Sequence, residues 1–162
     1  MPNLRHKLRY DPPYVPHLNP TGVYRRVFRI DALGTMKGYL NLEGVDSCFY
    51  VYINGQFLVY GQGTHNSSEF DATALLHPGE NEIALMVLKY CDGTYLEDQD
   101  KWRMSGIIRD IFFLQRPEQR IRSYRIHADA SGCLQVSWDA EAAVVLALYA
   151  PTGELLHEAK KK

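Results

Sequence analysis

The chain has 162 residues, 46% of them hydrophobic, which is room for one ordinary domain or for one domain and part of another. With 18 basic and 19 acidic residues the formal net charge is −1, so there is no basic footprint for nucleic acid or an anionic membrane, and a neutral small-molecule partner fits better. No apolar run approaches the ~20 residues needed to span a bilayer, and Arg5, Lys7 and Arg9 follow Met1 without an apolar stretch behind them, which predicts neither a membrane segment nor an export signal.

The opening stretch to Asn19-Pro20 holds Pro2, Pro12, Pro13 and Pro16. Each removes a backbone donor, so an extended arm is expected rather than a central strand. Residues 23–30, 39–45, 48–53, 57–60, 83–90 and 107–114 then form short runs rich in Val, Ile, Tyr and Phe, separated by turn residues. This is the rhythm of an all-β sandwich or jelly roll. Phe49, Val51 and Ile53 share one parity, and Asn54-Gly55 supplies the two positive-φ positions of a type I′ hairpin, with Phe57 starting the return strand. After the turn at His77-Pro78-Gly79-Glu80-Asn81, residues 83–88 are apolar on both parities, as a central strand covered on both faces should be.

Residues 92–106 show no strand alternation, which predicts a long loop between strands, a length usually tied to function. Arg116-Pro117 ends the strand set, and a domain boundary is expected there, giving domains at 1–117 and 118–162. The second segment offers strands near 122–126, 134–138 and 143–149, too few to close a sandwich of about seven, and its terminal lysines read as a solvated, frayed end. Cys48, Cys91 and Cys133 are odd in number and lack metal-site spacing, so they are expected as buried thiols in a reducing, cytoplasmic setting.

No nucleophile elbow, phosphate-cradling glycine loop or Cys/His metal framework is present, and the six histidines are scattered without ligand spacing. The one dense polar constellation is Tyr95-Leu96-Glu97-Asp98-Gln99-Asp100-Lys101-Trp102-Arg103. Carboxylates accept hydrogen bonds from sugar hydroxyls and an indole can cover a pyranose face, and the same oxygens suit a hard cation. On chemistry alone a solvated acidic loop held by Arg103 is the alternative. Glu97 and Asp98 are expected to fix the loop as acceptors for neighbours such as Arg103, and Trp102 is expected to pack, because Met104 and Ile107 follow it toward a strand. Arg109-Asp110 are expected to form local pairs at a strand edge.

Asn19-Pro20-Thr21-Gly22-Val23-Tyr24, Asn54-Gly55, Tyr60-Gly61-Gln62, Glu69-Phe70-Asp71 and Gly79-Glu80-Asn81 occur in an order that resembles family 2 glycoside hydrolases of the β-galactosidase type. The block from Asp92-Gly93-Thr94-Tyr95 to Ile107-Ile108-Arg109-Asp110 closes the match, and the whole covers about residues 11–117. The resemblance implies a galactose-binding-like jelly-roll β-sandwich, N-terminally truncated, followed by the beginning of an immunoglobulin-like β-sandwich. It also implies that the two catalytic Glu residues of a retaining hydrolysis lie in an absent TIM barrel, so the isolated chain should be inactive on terminal β-galactosides.

By position, Asp100 matches the family's acidic residue that reaches the galactose and a sodium ion, and Asn3 matches an Asn that also contacts the sugar. His6-Lys7 stand where the family has Tyr-Pro, so the Asn3 register rests on counting back from Asp11-Pro12-Pro13. Thr64-His65-Asn66-Ser67 replaces the family's Ser, basic residue and Pro, and Lys101 stands where Met is common. The implied partners are a β-galactoside, the barrel and further copies in a homo-oligomer, with no nucleic acid and no membrane. The implied magnesium of the full enzyme has its ligands outside this chain. Two alternatives remain: a free-standing carbohydrate-binding module, and a β-glucuronidase or β-mannosidase relative, against which Tyr60-Gly61-Gln62 and Glu97-Asp98-Gln99-Asp100 favour the galactosidase branch.

Overall fold

The structure, a computed structural model, describes residues 12–97, 102 and 104–161. Most of the predicted proline-rich arm, 1–11, lies outside the described residues. The chain divides between Arg116 and Pro117 into two compact units.

Turn chemistry sets the register of the first unit. Asn54 (φ 52°) and Gly55 (φ 76°) both take the left-handed conformation that a type I′ turn demands, and they join β4 (Cys48–Ile53) to β5 (Gln56–Gln62) as an antiparallel hairpin. The shared parity of Phe49, Val51 and Ile53 then turns all three into the core. β7 (Gly79–Leu88) lies inside the same sheet, paired on one side with β1 (Thr21–Ile30) and on the other with β4, in the order β1-β7-β4-β5. Ile83, Leu85 and Val87 are buried and the alternate residues half-buried, which accounts for the apolar character of both parities.

A second sheet, in the order β6 (Ser68–Asp71), β2 (Met36–Leu42), β9 (Ile111–Pro117), packs its apolar face on the first. Phe28 of β1 stacks on Phe113 of β9 with ring centroids 4.5 Å apart, and Phe49 of β4 meets Phe70 of β6 edge-on at 6.3 Å. Leu40, Leu42, Val51 and Ile53 are wholly enclosed between the layers, the largest favourable contribution to the fold. The first unit is thus an all-β antiparallel sandwich. Besides its sheets it has a single 3-10 turn at Thr73–Leu75 and one short helix among the described residues.

Two predicted strands are broken where the chain folds back on itself. The 39–45 run splits into β2 and β3 (Val45–Asp46), and the 107–114 run into β8 (Gly106–Ile107) and β9. The amides of Ile108 and Arg109 donate to the Gly44 carbonyl at 3.1 and 3.3 Å, and Glu43 N–H donates to the Asp110 carbonyl at 3.1 Å, so these peptide groups are satisfied in a crossing of two turns instead of a ladder. The crossing is close at Gly44, where a Cβ would stand 3.2 Å from the Arg109 and Ile108 side chains and they would have to shift by a few tenths of an ångström. Arg109 and Asp110 act through their backbone here.

A pair of side-chain amides, Asn81 buried and Asn54 half-buried, ties the two turns of the large sheet together. Asn54 Nδ2 donates to Asn81 Oδ1 at 2.9 Å and to the Leu75 carbonyl at 2.8 Å, while its Oδ1 accepts the Glu82 amide at 2.8 Å. Asn81, wholly buried, accepts the His77 amide (3.1 Å) and donates to the carbonyls of His77 (2.7 Å) and Gly79 (3.1 Å). Every polar atom of these two side chains is engaged, which is the condition for holding amides in an apolar interior.

The second unit consists of two hairpins, β10 (Ile121–Ala128) with β11 (Leu134–Ala140), and β12 (Val144–Tyr149) with β13 (Leu155–Lys161). The expected frayed lysine end is corrected by β13, whose Lys160 and Lys161 pair with Val145 and Val144 because the Pro151-Thr152-Gly153 turn returns the chain along β12. Among its described hydrophobic residues only Val144 is buried. Cys133, expected to be buried, is exposed because it lies in the turn between β10 and β11.

Gly61 of β5 faces Phe49 so closely that a Cβ would lie 2.4 Å from the ring. Gly61→Ala should therefore cost about 1–3 kcal/mol by overpacking, read as a lower urea midpoint at unchanged slope. An unchanged midpoint would show that the Phe49 ring has room to move.

Candidate functional site

The base of the 92–110 loop is assembled where β7 leaves the sheet. The Leu88 carbonyl accepts from Ser47, through N–H at 3.3 Å and Oγ–H at 3.1 Å, which binds the end of β7 to the start of β4. One step on, Asn19 Oδ1 accepts the Tyr90 amide at 3.0 Å and Asn19 Nδ2 donates to the Tyr90 carbonyl at 2.8 Å. A side-chain amide here replaces a neighbouring strand, and Lys89 N–H donates to the Pro20 carbonyl beside it at 2.9 Å. The Asn19-Pro20 pair thus extends the β7 ladder by two residues.

The chain then turns sharply. Thr94 Oγ1 accepts the Cys91 amide at 2.9 Å, Asp92 Oδ1 accepts the Gly93 amide at 2.9 Å, and the Gly93 carbonyl accepts both Leu96 and Glu97 amides at 2.9 and 3.0 Å, closing the one-turn helix α1 (Thr94–Glu97). Its far end is fixed by Thr64, which follows β5 and is only 1% exposed. The Thr64 hydroxyl lies 2.9 Å from Glu97 Oε2 and 3.2 Å from Asp46 Oδ1. Two carboxylates thus converge on a single hydroxyl proton, a charge-assisted contact stronger than a neutral one. Tyr95 O–H donates to the Tyr14 carbonyl at 2.5 Å, joining the loop to the segment before β1.

Glu97 does fix the loop, through Thr64 and so from the stretch 64–67 in which this sequence departs from the family it resembles. A contact 33 residues apart in sequence leaves no local signal, and the departure itself was the available clue. Asn3, Asp98, Asp100 and Arg103 lie outside the described residues. The expectation that Trp102 packs is corrected: it is 73% exposed and Met104 68%, because the following strand, β8, has only two residues and gives the indole no sheet to cover. Both stand at the surface.

A concavity of about 600 Å³ lies between β1, β7 and β9 and reaches the end of the 92–110 block through Ile107, Arg109 and Asp110; Phe28, Leu85 and Phe113 are among its apolar lining, and Asp110 is its one carboxylate beside Arg25, Arg26 and Arg109. It contains none of the predicted site residues. Among the described residues no three His, Cys, Asp or Glu side chains converge as a metal cage.

Replacing Thr64 by Val keeps the shape and removes the shared hydroxyl, so Asp46 and Glu97 lose a common donor. A loss of about 1–3 kcal/mol is expected, with faster amide hydrogen exchange at Leu96 and Glu97. Exchange there at the parent rate would mean that Thr64 does not hold the turn.

Residues 1–117 match the profile described as the sugar binding domain of glycosyl hydrolases family 2. Over 161 residues the chain is 45% identical to a protein of Staphylococcus xylosus named β-galactosidase, covering 94% of this chain and 16% of that one. A β-galactosidase of Actinobacillus pleuropneumoniae is 49% identical over 125 residues, 76% of this chain and 12% of its own. The chain therefore spans less than a fifth of the length of these relatives. Among solved structures, the β-glucuronidase of Ruminococcus gnavus with bound uronic isofagomine superposes with a TM-score of 0.74 over 89% of this chain and 28% of that one, at 18% identity, which is a likeness of fold. With this profile matched across its first unit, the chain belongs to glycosyl hydrolase family 2 and carries that family's sugar-binding domain.

Proposed function

We propose that this chain is the sugar-binding part of a β-galactosidase that hydrolyses terminal non-reducing β-D-galactose residues, and that its 92–110 loop lends Asp100 to the galactose site. The observation that carries the proposal is the 45% identity to the S. xylosus β-galactosidase across 94% of this chain, against 18% to the β-glucuronidase of the same fold. The anchored turn supports it. A residue that orients substrate needs a rigid base, and Glu97, three positions before Asp100, is held by Thr64 while the turn itself is closed by Thr94 and Gly93.

In this reading the chain's work is binding and orientation. Asp100, a carboxylate at neutral pH, accepts hydrogen bonds from sugar hydroxyls, and Asn3 adds an amide that both donates and accepts. Carboxylate oxygen is also the donor type that suits a hard cation, so Asp100 is the residue of this chain that would hold sodium, which supplies positive charge beside the sugar. The bond-breaking pair, two Glu carboxylates about 5 to 5.5 Å apart in a retaining enzyme, belongs to a TIM barrel beyond these residues. A free-standing carbohydrate-binding module would have no need of a loop shaped to work against a barrel.

The test is made in the complete polypeptide containing this chain. Asp100→Asn keeps the shape but loses the charge, so kcat/KM on a chromogenic galactoside should fall by a factor on the order of 10² to 10⁴ with a weaker dependence on sodium, and Glu97→Gln should cost much less. The isolated 162-residue chain should show no turnover. Parent-like kinetics of Asp100→Asn at every sodium concentration would reduce the loop to a structural role.

A further inference from the structure

Asn54-Gly55 is the only Asn-Gly pair in the sequence. A peptide nitrogen can attack the side-chain carbonyl carbon of the asparagine before it, and glycine, which has no Cβ, hinders that attack least. The turn leaves room for the reaction: Gly55 is exposed, and a Cβ added there would meet nothing within 4 Å. The carboxamide of Asn54 has no such freedom. Its Nδ2 donates to the Leu75 carbonyl at 2.8 Å and to Asn81 Oδ1 at 2.9 Å, and its Oδ1 accepts the Glu82 amide at 2.8 Å. The backbone is tied as well, through Asn54 N–H to the Glu82 carbonyl at 2.9 Å. All these partners are 21 to 28 residues away, in the 3-10 turn at Thr73–Leu75 and in β7.

We propose that Asn54 is a fold-gated modification site: the closed sheet holds its carboxamide unreactive, opening of the β4-β5 hairpin releases it to deamidate, and the carboxylate so formed does not fit back into the network. In the open chain the Gly55 amide gives its proton to solvent base, and the nitrogen attacks Asn54 Cγ. The Cγ–Nδ2 bond breaks, the side-chain nitrogen takes a proton from water and leaves as ammonia, and a five-membered succinimide closes. Water then adds to either ring carbonyl, giving aspartate or, with the chain routed through the side-chain carbon, isoaspartate. One water is consumed and one ammonia released, and nothing is oxidised or reduced.

In the folded chain the same step must swing Cγ toward the Gly55 nitrogen and take the carboxamide out of its plane. Leu75, Asn81 and Glu82 stand on other elements and do not follow, so ring closure breaks all three side-chain hydrogen bonds. The reaction therefore draws on the open population of the hairpin.

The product also matters to the fold. An aspartate has oxygen where Nδ2 stood, so the Leu75 carbonyl and Asn81 Oδ1 face an acceptor in place of a donor. Asn81 does not turn to compensate, because it is wholly buried and its own Nδ2 is engaged by the carbonyls of His77 and Gly79. Isoaspartate lengthens the backbone and destroys the two-residue turn that sets the β4-β5 register. Modification thus runs one way, from a chain that has opened to a chain that closes less well.

The test incubates the 162-residue chain and a peptide of residues 50–59 side by side at mildly alkaline pH. Conversion at Asn54 is followed by peptide mapping and by the mass gained when NH2 becomes OH. In buffer the chain should deamidate there at least about tenfold more slowly than the peptide, and in denaturant the two rates should agree. A smaller difference in buffer, or one that persists in denaturant, overturns the gating. Asn54→Asp, made directly, should lower the urea midpoint of the chain, and a parent midpoint would overturn the claim that the network rejects the product.

Discussion

The ladder of β7 is the constraint on which the rest depends. It pairs along its length with β1 and over six residues with β4, so its exit point, Leu88, is fixed from both sides. The turn that leads to Asp100 starts from that exit: Asn19 and Pro20 carry the ladder on to Lys89 and Tyr90, Cys91 N–H donates to Thr94 Oγ1, and α1 begins at Thr94. Backbone hydrogen bonds are individually worth about 0.5–1.5 kcal/mol net, but a paired strand at the centre of a packed sheet opens only with global unfolding. A loop rooted there inherits that rigidity at its base.

The buried and half-buried polar contacts repeat one device, a side-chain amide or hydroxyl that joins distant parts of the chain. Asn54 and Asn81 satisfy the peptide groups of two turns, Asn19 supplies the strand that β7 lacks beyond Leu88, and Thr64 unites Asp46 with Glu97. Each joins a turn to a strand from a distant part of the chain. Such contacts cost little when complete and more when one partner is removed, which explains why motif residues are polar at positions where an apolar core would be simpler.

What could be read in advance follows the range of the interaction. The Asn54-Gly55 hairpin, the inward parity of Phe49, Val51 and Ile53, and the interior place of β7 depend on neighbours within a few residues, and each is present. The breaks at Glu43-Gly44 and Arg109-Asp110 are easily passed over because Val45 and Ile111 resume the apolar pattern directly after them; the cause is a docking of two turns some 65 residues apart. Glu97 was assigned an anchoring role, yet its partner Thr64 belongs to a stretch notable only as a departure from the family. Trp102 stands exposed although Met104 and Ile107 follow it, because the strand they lead into has only two residues. The terminal lysines looked too soluble to pair, but on an edge strand charged side chains leave the backbone ladder intact.

The central claim is that a turn rooted at β7 and held by Thr64 carries Asp100 to a galactose. The most direct measurement is a crystal structure of the complete polypeptide with galactose bound. The account predicts a carboxylate oxygen of Asp100 within about 3 Å of a sugar hydroxyl, with Glu97 still on Thr64. A galactose held entirely by other segments, with Asp100 turned to solvent, would contradict it.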